Sequence, residues 1–235
     1  MFVTKDSLDL TKYLVKKPWG CEHIAFQNKD CCVGLLKINY NQETSLHCHP
    51  KKKTGLIVLN GEVKIELGFY DTKILKAPAK IMIRPGLFHS TKCISRNGCT
   101  LLEIENPVDK KDLVRFKDQY GREDTPYEGI KNMTALSKNE ILFSDPKNSD
   151  GFNYNFVETI VSIERHENLL TILQNDKNTI FAVIERGLID KKKNYVLSPG
   201  DIVRTDTIKK LNEVFKPNEY IKILKIQKNE KQPKY

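Results

Sequence analysis

Four short runs, CCVGLLKI, GLIVLNGEVKIELGFY, KIMIRP and CTLLEIE, follow one another between residues 31 and 105, punctuated by NG, PG and RNG turns. Short runs rich in β-branched or apolar side chains and closed by glycine or proline turns read as strands. With no helical period between them, closely spaced strands fit an antiparallel sandwich or a closed barrel. Helix is expected only in short pieces, such as residues 7–15, where Ser7 can cap a crude apolar set of Leu8, Leu10, Tyr13 and Leu14.

Strands resume in the second half with FNYNFVETIVSIE, LLTILQ, TIFAVIERGLI, YVLSPGDIVRT and EYIKILKIQ. A chain of 235 residues with 39% hydrophobic content can hold one large core or two smaller ones. The charged, turn-rich stretch 107–135 places the division between units at residues 130 and 131. The order of motifs repeats across it. GLIVLNGEV followed by IMIRPGLFH is echoed by IFAVIERGLI followed by YVLSPGDIV, which suggests a duplicated β-domain. The second copy has Val203 where the first has His89, and no HxH precedes it.

The net charge of +9 comes from scattered lysines. That pattern suits a solvated surface with a taste for anionic ligands, and no nucleic-acid partner is expected. Both KKK runs, 51–53 and 191–193, read as loop charge. The N-terminus lacks the apolar core of a signal peptide and no stretch approaches 18 apolar residues, so no membrane partner is expected either. Six cysteines without CxxC spacing give no zinc ribbon or disulfide framework, and free thiols in a cytoplasmic setting are expected.

Chemistry concentrates in SLHCHP. Residues two apart on a strand share a face, so His47 and His49 point the same way and Cys48 the other. His89 stands three residues after the Pro85-Gly86 turn. Three convergent imidazoles suit a divalent transition metal, zinc foremost, with iron or manganese as alternatives. The bland alternative is an accidental cluster of core or surface histidines.

This arrangement, HxH, a strand with a glycine turn, then PGxxH, resembles the two motifs of the cupin superfamily of jelly-roll β-barrels. KPWG at 17–20, RPGLFH at 84–89 and DLVRFKDQYGR at 112–122 narrow the resemblance to the cupin domain of type II mannose-6-phosphate isomerases, over roughly residues 15–125. The resemblance implies an all-β chain of two tandem cupin barrels. Residues 1–130 would form the barrel with the histidine site, and residues 131–235 a degenerate cupin-like domain without metal ligands. It also implies a homodimer, a metal on His47, His49 and His89, and isomerisation of a phosphorylated sugar for surface-polysaccharide synthesis. The family pattern places a glutamate ligand where this chain has Thr54. Asn41, Arg84 and Cys93 are further departures. Two alternatives therefore stay open: a metal-free nucleotide-sugar ketoisomerase or epimerase in which the HxH imidazoles move protons, and a cupin that binds sugar or metal without turnover.

For an aldose–ketose isomerisation, Arg115 and Arg122 are candidate phosphate contacts, with salt bridges to Asp118 or Glu123 as the structural alternative. Arg84 and Lys53 are further candidate substrate contacts. Glu103 and Glu105 share one face of a strand and are candidates for the base or a replacement ligand. A water-facing position is the preferred expectation for them, because an inward carboxylate pair is costly unless matched by cations.

Overall fold

A computed structural model describes residues 8–123, 127–146 and 151–231. The first strands are β1 (Tyr13–Lys17), β2 (Gly20–Gln27), β3 (Cys32–Ile38), β4 (Leu46–Cys48), β5 (Lys53–Asn60) and β6 (Glu62–Leu67). They continue with β7 (Asp71–Lys76), β8 (Ala79–Ile83), β9 (His89–Cys93), β10 (Cys99–Asn106), β11 (Val114–Lys117) and β12 (Met133–Ala135). A seven-stranded sheet in the order β12-β1-β2-β3-β10-β5-β8 faces a five-stranded one in the order β11-β4-β9-β6-β7. Together they make a jelly roll.

The expected helix at 7–15 is reduced to a 3₁₀ turn at Leu10–Lys12, capped by Asp9, because the chain enters β1 at Tyr13; Ser7 lies outside the described residues. Gly20 opens β2 with φ +149°, and a Cβ there would stand 2.0 Å from the Lys37 carbonyl. Only glycine lets the KPWG turn close onto β3. The NG turn at 60–61 does not make a hairpin. It carries the chain from β5 in the large sheet to β6 in the small one.

Strand β5 is buried on both faces, which explains its nearly unbroken apolar sequence. Leu56 and Val58 pack inside the barrel with Trp19, Leu36, Ile65 and Leu101. Ile57 and Leu59 face the other way, into a core shared with Val161, Ile163, Ala182 and Leu224 of the second half.

That second half contains β13 (Asn153–Asn155), β14 (Thr159–His166), β15 (Ile180–Ile189), β16 (Tyr195–Leu197), β17 (Ile202–Arg204) and β18 (Lys216–Lys228), with helices α1 (Leu170–Leu173) and α2 (Thr205–Asn212). Where the sequence suggests a second barrel, these strands form one six-stranded sheet. Its inner face is already covered by the large sheet of the first half, and Leu169 and Ile172 at α1 and Ile208 of α2 cover the outer face with Phe181, Val183 and Ile223. A facing second sheet is therefore not needed to bury it.

The division at 130/131 also shifts. Ala135 pairs with Tyr13, the Phe143 amide donates to the Ala25 carbonyl at 2.8 Å, and Phe143 joins the shared core, so residues 133–143 pack with the first unit, while Ser144 and Asp145 bond to Tyr154 and Lys222 of the second. All six cysteines are free thiols. Among the described residues no helix is long and apolar enough to cross a membrane.

Candidate metal centre and charged cavity

Antiparallel pairing of β4 with β9 sets His47 directly across from His89, and His49 follows β4 by one residue. The ring centroids lie 4.4 Å apart for His47 and His89, 5.0 Å for His47 and His49, and 5.6 Å for His49 and His89. Each ring is fixed by a backbone carbonyl. Nδ1 of His47 donates to Ser45 O at 2.7 Å, that of His49 to Asp112 O at 2.6 Å, and that of His89 to Leu87 O at 3.0 Å. A carbonyl can only accept, so Nδ1 holds the proton and Nε2 keeps its lone pair for the centre.

One ligand atom from each of the three lies within 4.8 Å of the others, and buried Nε2 of His49 and of His89 has no hydrogen-bond partner among the described residues. Burial lowers all three pKa values, that of His89 to about 4, with the neighbouring imidazoles adding to the effect at His47 and Lys52 at His49. Oriented, neutral imidazoles with unpartnered nitrogens fit a divalent metal.

Thr54 is 1% exposed and its hydroxyl oxygen has no partner among the described residues. Directly across from it on β10 stands Glu105. The expectation that Glu103 and Glu105 face water is overturned. They share the parity of Leu101, which packs inside the barrel, while Leu102 and Ile104 meet the second half, so neither face of β10 is open. Cations meet the desolvation cost: Lys52 Nζ and Lys110 Nζ each lie 2.5 Å from Glu105. Burial alone would raise the Glu105 pKa, but Lys110 and Lys52 hold it below the usual carboxylate range. Glu103 is pushed the other way by burial and by the Glu105 charge. Both carboxylates come within 4.8 Å of the ligating atom of His49.

The KKK run is not plain loop charge, because strand parity separates its members. Lys52 follows Thr54 inward and is 1% exposed, whereas Lys53 turns outward and binds Ser198 at 2.8 Å and Asp201 at 2.8 Å in the second half. Lys53 is thus removed from the site. Arg84 is also outside it, exposed, with Nη1 donating to Pro85 O at 3.2 Å; the alternation that turns Ile83 into the barrel turns Arg84 away.

Arg115 and Arg122 do line the cavity, together with Lys17, Trp19, Glu22 and Tyr127. Arg115 is the cross-strand partner of His47. Arg122 forms a two-pronged bond to Asp118, Nε and Nη2 each at 2.8 Å, and extends Nη1 to Glu128 at 2.7 Å. Glu128 also pairs with Lys17 and, at 3.6 Å, with Arg115. The Tyr127 hydroxyl donates to Glu22 at 2.5 Å. Sequence reasoning missed Lys17, Glu22, Lys110, Tyr127 and Glu128 as site residues, and it placed Lys52 next to the site but preferred to read it as loop charge. Counting back two residues from Thr54 could have flagged Lys52. The others are brought in by pairings that no local pattern encodes.

No family model matches this chain, and no curated protein matches it. Among solved structures it is similar to a protein with a double-stranded β-helix domain from Klebsiella pneumoniae, at 18% identity and TM-score 0.39 over 41% of this chain and 79% of that one. KdgF from Halomonas is similar at 14% identity and TM-score 0.37, over 40% of this chain and 84% of that one. The cupin domain of Cnp3 from Schizosaccharomyces pombe is similar at 14% identity and TM-score 0.35, over 37% and 63%.

Proposed function

We propose that the chain is a metal-dependent isomerase of a phosphorylated sugar, with its site in the first barrel. The observation that carries this reading is the convergence of three Nε2 lone pairs beside an inward carboxylate pair and a cluster of cations. A divalent cation on His47, His49 and His89 would polarise the substrate carbonyl. The chain's own residues supply the rest. Interconversion of an aldose and a ketose moves a proton from the carbon beside the carbonyl to the former carbonyl carbon, and a second proton between the two oxygens. Glu105 is clamped between two ammonium groups and stays anionic as a fixed charge. Glu103 has no hydrogen bond or ion pair among the described residues, so its carboxylate is the group free to take the carbon-bound proton and return it. Arg115 and Arg122 would hold the phosphate.

Metal analysis of protein purified without chelator, paired with a fructose-6-phosphate and mannose-6-phosphate interconversion assay with and without EDTA, tests the reading. Near-stoichiometric metal, lost in His89→Ala, with EDTA-sensitive turnover is expected. Absence of both metal and turnover would sink it and leave the imidazole-based nucleotide-sugar reaction, for which the substitution of Thr54 for a carboxylate is the supporting observation.

A further inference from the structure

We propose that Trp19 is a substrate contact that reads the sugar and not its phosphate: the indole N–H donates to a sugar oxygen, and the indole ring carries the sugar's apolar C–H face. The inference rests on the sugar-phosphate reading for the class of ligand.

Most polar groups around the cavity already bind one another. Lys52 and Lys110 hold Glu105, and the Tyr127 hydroxyl holds Glu22. Trp19 differs. It lines the same cavity and is 4% exposed, and its indole N–H has no hydrogen-bond partner among the described residues. An indole N–H in such surroundings usually finds an acceptor. This one is not sealed off from solvent as Nε2 of His49 and the Thr54 hydroxyl are, so the open space it meets is the cavity. A ligand oxygen there supplies the missing acceptor without breaking any bond the chain makes to itself.

The shape of the wall points to the same class of ligand. It is polar except at Trp19, Leu36 and Leu113, and Trp19 packs with Leu36 inside the barrel. A sugar has one face of C–H groups and an edge of hydroxyls, so it matches a cavity that is apolar on one side and polar elsewhere; inorganic phosphate has no apolar face to place there. The indole is also fixed before a ligand arrives. The Trp19 carbonyl accepts from the Asn39 amide at 3.0 Å, and Gly20, which only glycine can be, sets the turn that follows it. A contact ordered in advance loses little entropy on binding.

Trp19 is the sole tryptophan, so its emission reports the contact directly. The test titrates the protein as purified with two probes, inorganic phosphate and an equilibrated mixture of fructose-6-phosphate and mannose-6-phosphate to which turnover adds no heat. Wild-type binding is followed by calorimetry and by fluorescence, and Trp19→Phe, which keeps an aromatic wall but has no N–H, by calorimetry alone. The sugar phosphates are expected to shift the Trp19 emission with the midpoint found by calorimetry. Trp19→Phe should bind them roughly fivefold more weakly, the loss of about one hydrogen bond, and bind phosphate as wild type does. Equal affinity of a natively folded Trp19→Phe for the sugar phosphates overturns the proposal. An equal loss for both probes overturns it too, because it makes Trp19 a packing residue whose replacement disturbs the whole cavity. If the variant does not fold, the wild-type emission decides, and an unshifted emission at saturation overturns the contact. Failure of the contact and failure of the reaction are distinguishable. Weakened sugar-phosphate binding in Trp19→Phe without any turnover by wild type upholds the contact and removes the reaction; turnover with unchanged affinity removes the contact and keeps the reaction; and a wild type that binds no sugar phosphate removes both.

Discussion

Glu105 is where the cost and the use of this site meet. Its carboxylate is 2% exposed, an environment that disfavours charge, and it stays charged because Lys52 and Lys110 each reach it at 2.5 Å. Removing one member of such a buried cluster strands the others. Glu105→Gln is expected to lower stability by about 3–5 kcal/mol in urea unfolding, since it leaves two buried ammonium groups without their counter-charge. Glu105→Leu combined with Lys52→Met should lose less than Glu105→Gln alone, because the Lys52 charge goes with its partner. A loss under about 1 kcal/mol in Glu105→Gln would mean that water, and not Glu105, neutralises the lysines.

At the scale of strands, alternation decides which residues meet. Gly55 lies between Thr54, which faces the barrel, and Leu56; its own face meets the second half, where a Cβ would stand 2.2 Å from Ile202 Cδ1. Gly55→Ala is expected to cost about 1–3 kcal/mol by overpacking, and Ile202→Val, which removes that Cδ1, should recover part of it; an unaffected melting curve would show that the sheets slide to make room.

Glu164 of β14 offers a test by pH. Burial would raise its pKa, but hydrogen bonds from His166, Lys225 and Ser162 bring it down to about 2. A carboxyl depressed on folding stabilises fully above its unfolded pKa of about 4.3, and this contribution fades as pH falls toward 2. Glu164→Gln should flatten the stability–pH curve across that acid window, measured by urea midpoints; an unchanged slope would remove Glu164 from the acid response.

The same alternation explains what was legible. His47 and His49 could be placed on one face, and His89 beside them, because an HxH run and a turn-defined strand start are local patterns. The direction of Glu103 and Glu105 was not legible, since it depends on whether the second unit covers the opposite face of β10. The Glu128 cluster was out of reach for a similar reason: it joins residues 17, 115, 122 and 128 from β1, β11 and the chain that follows β11.

For the molecule as a whole, the decisive feature is a core that belongs to both units. Phe26, Leu35 and Ile57 of the first interleave with Ile163, Ile180 and Ile226 of the second. Polar contacts follow the same seam. The Thr159 hydroxyl donates to the Leu59 carbonyl at 3.0 Å, Lys80 Nζ to the Ile202 carbonyl at 2.8 Å, and the Gly61 amide to Glu158 at 2.8 Å. A sheet whose inner face is this apolar cannot present it to water without forming a patch far larger than monomers tolerate. The second unit should therefore unfold with the first. Trp19, the sole tryptophan, lies in the first barrel and reports only on it, whereas far-UV circular dichroism reports on the strands of both units. Urea curves followed by the two signals are expected to coincide in one transition. Separation of the midpoints, with Trp19 fluorescence lagging behind the loss of strand signal, would show that the second sheet comes away while the barrel still holds its histidines, and that the shared core couples the units less than its burial implies.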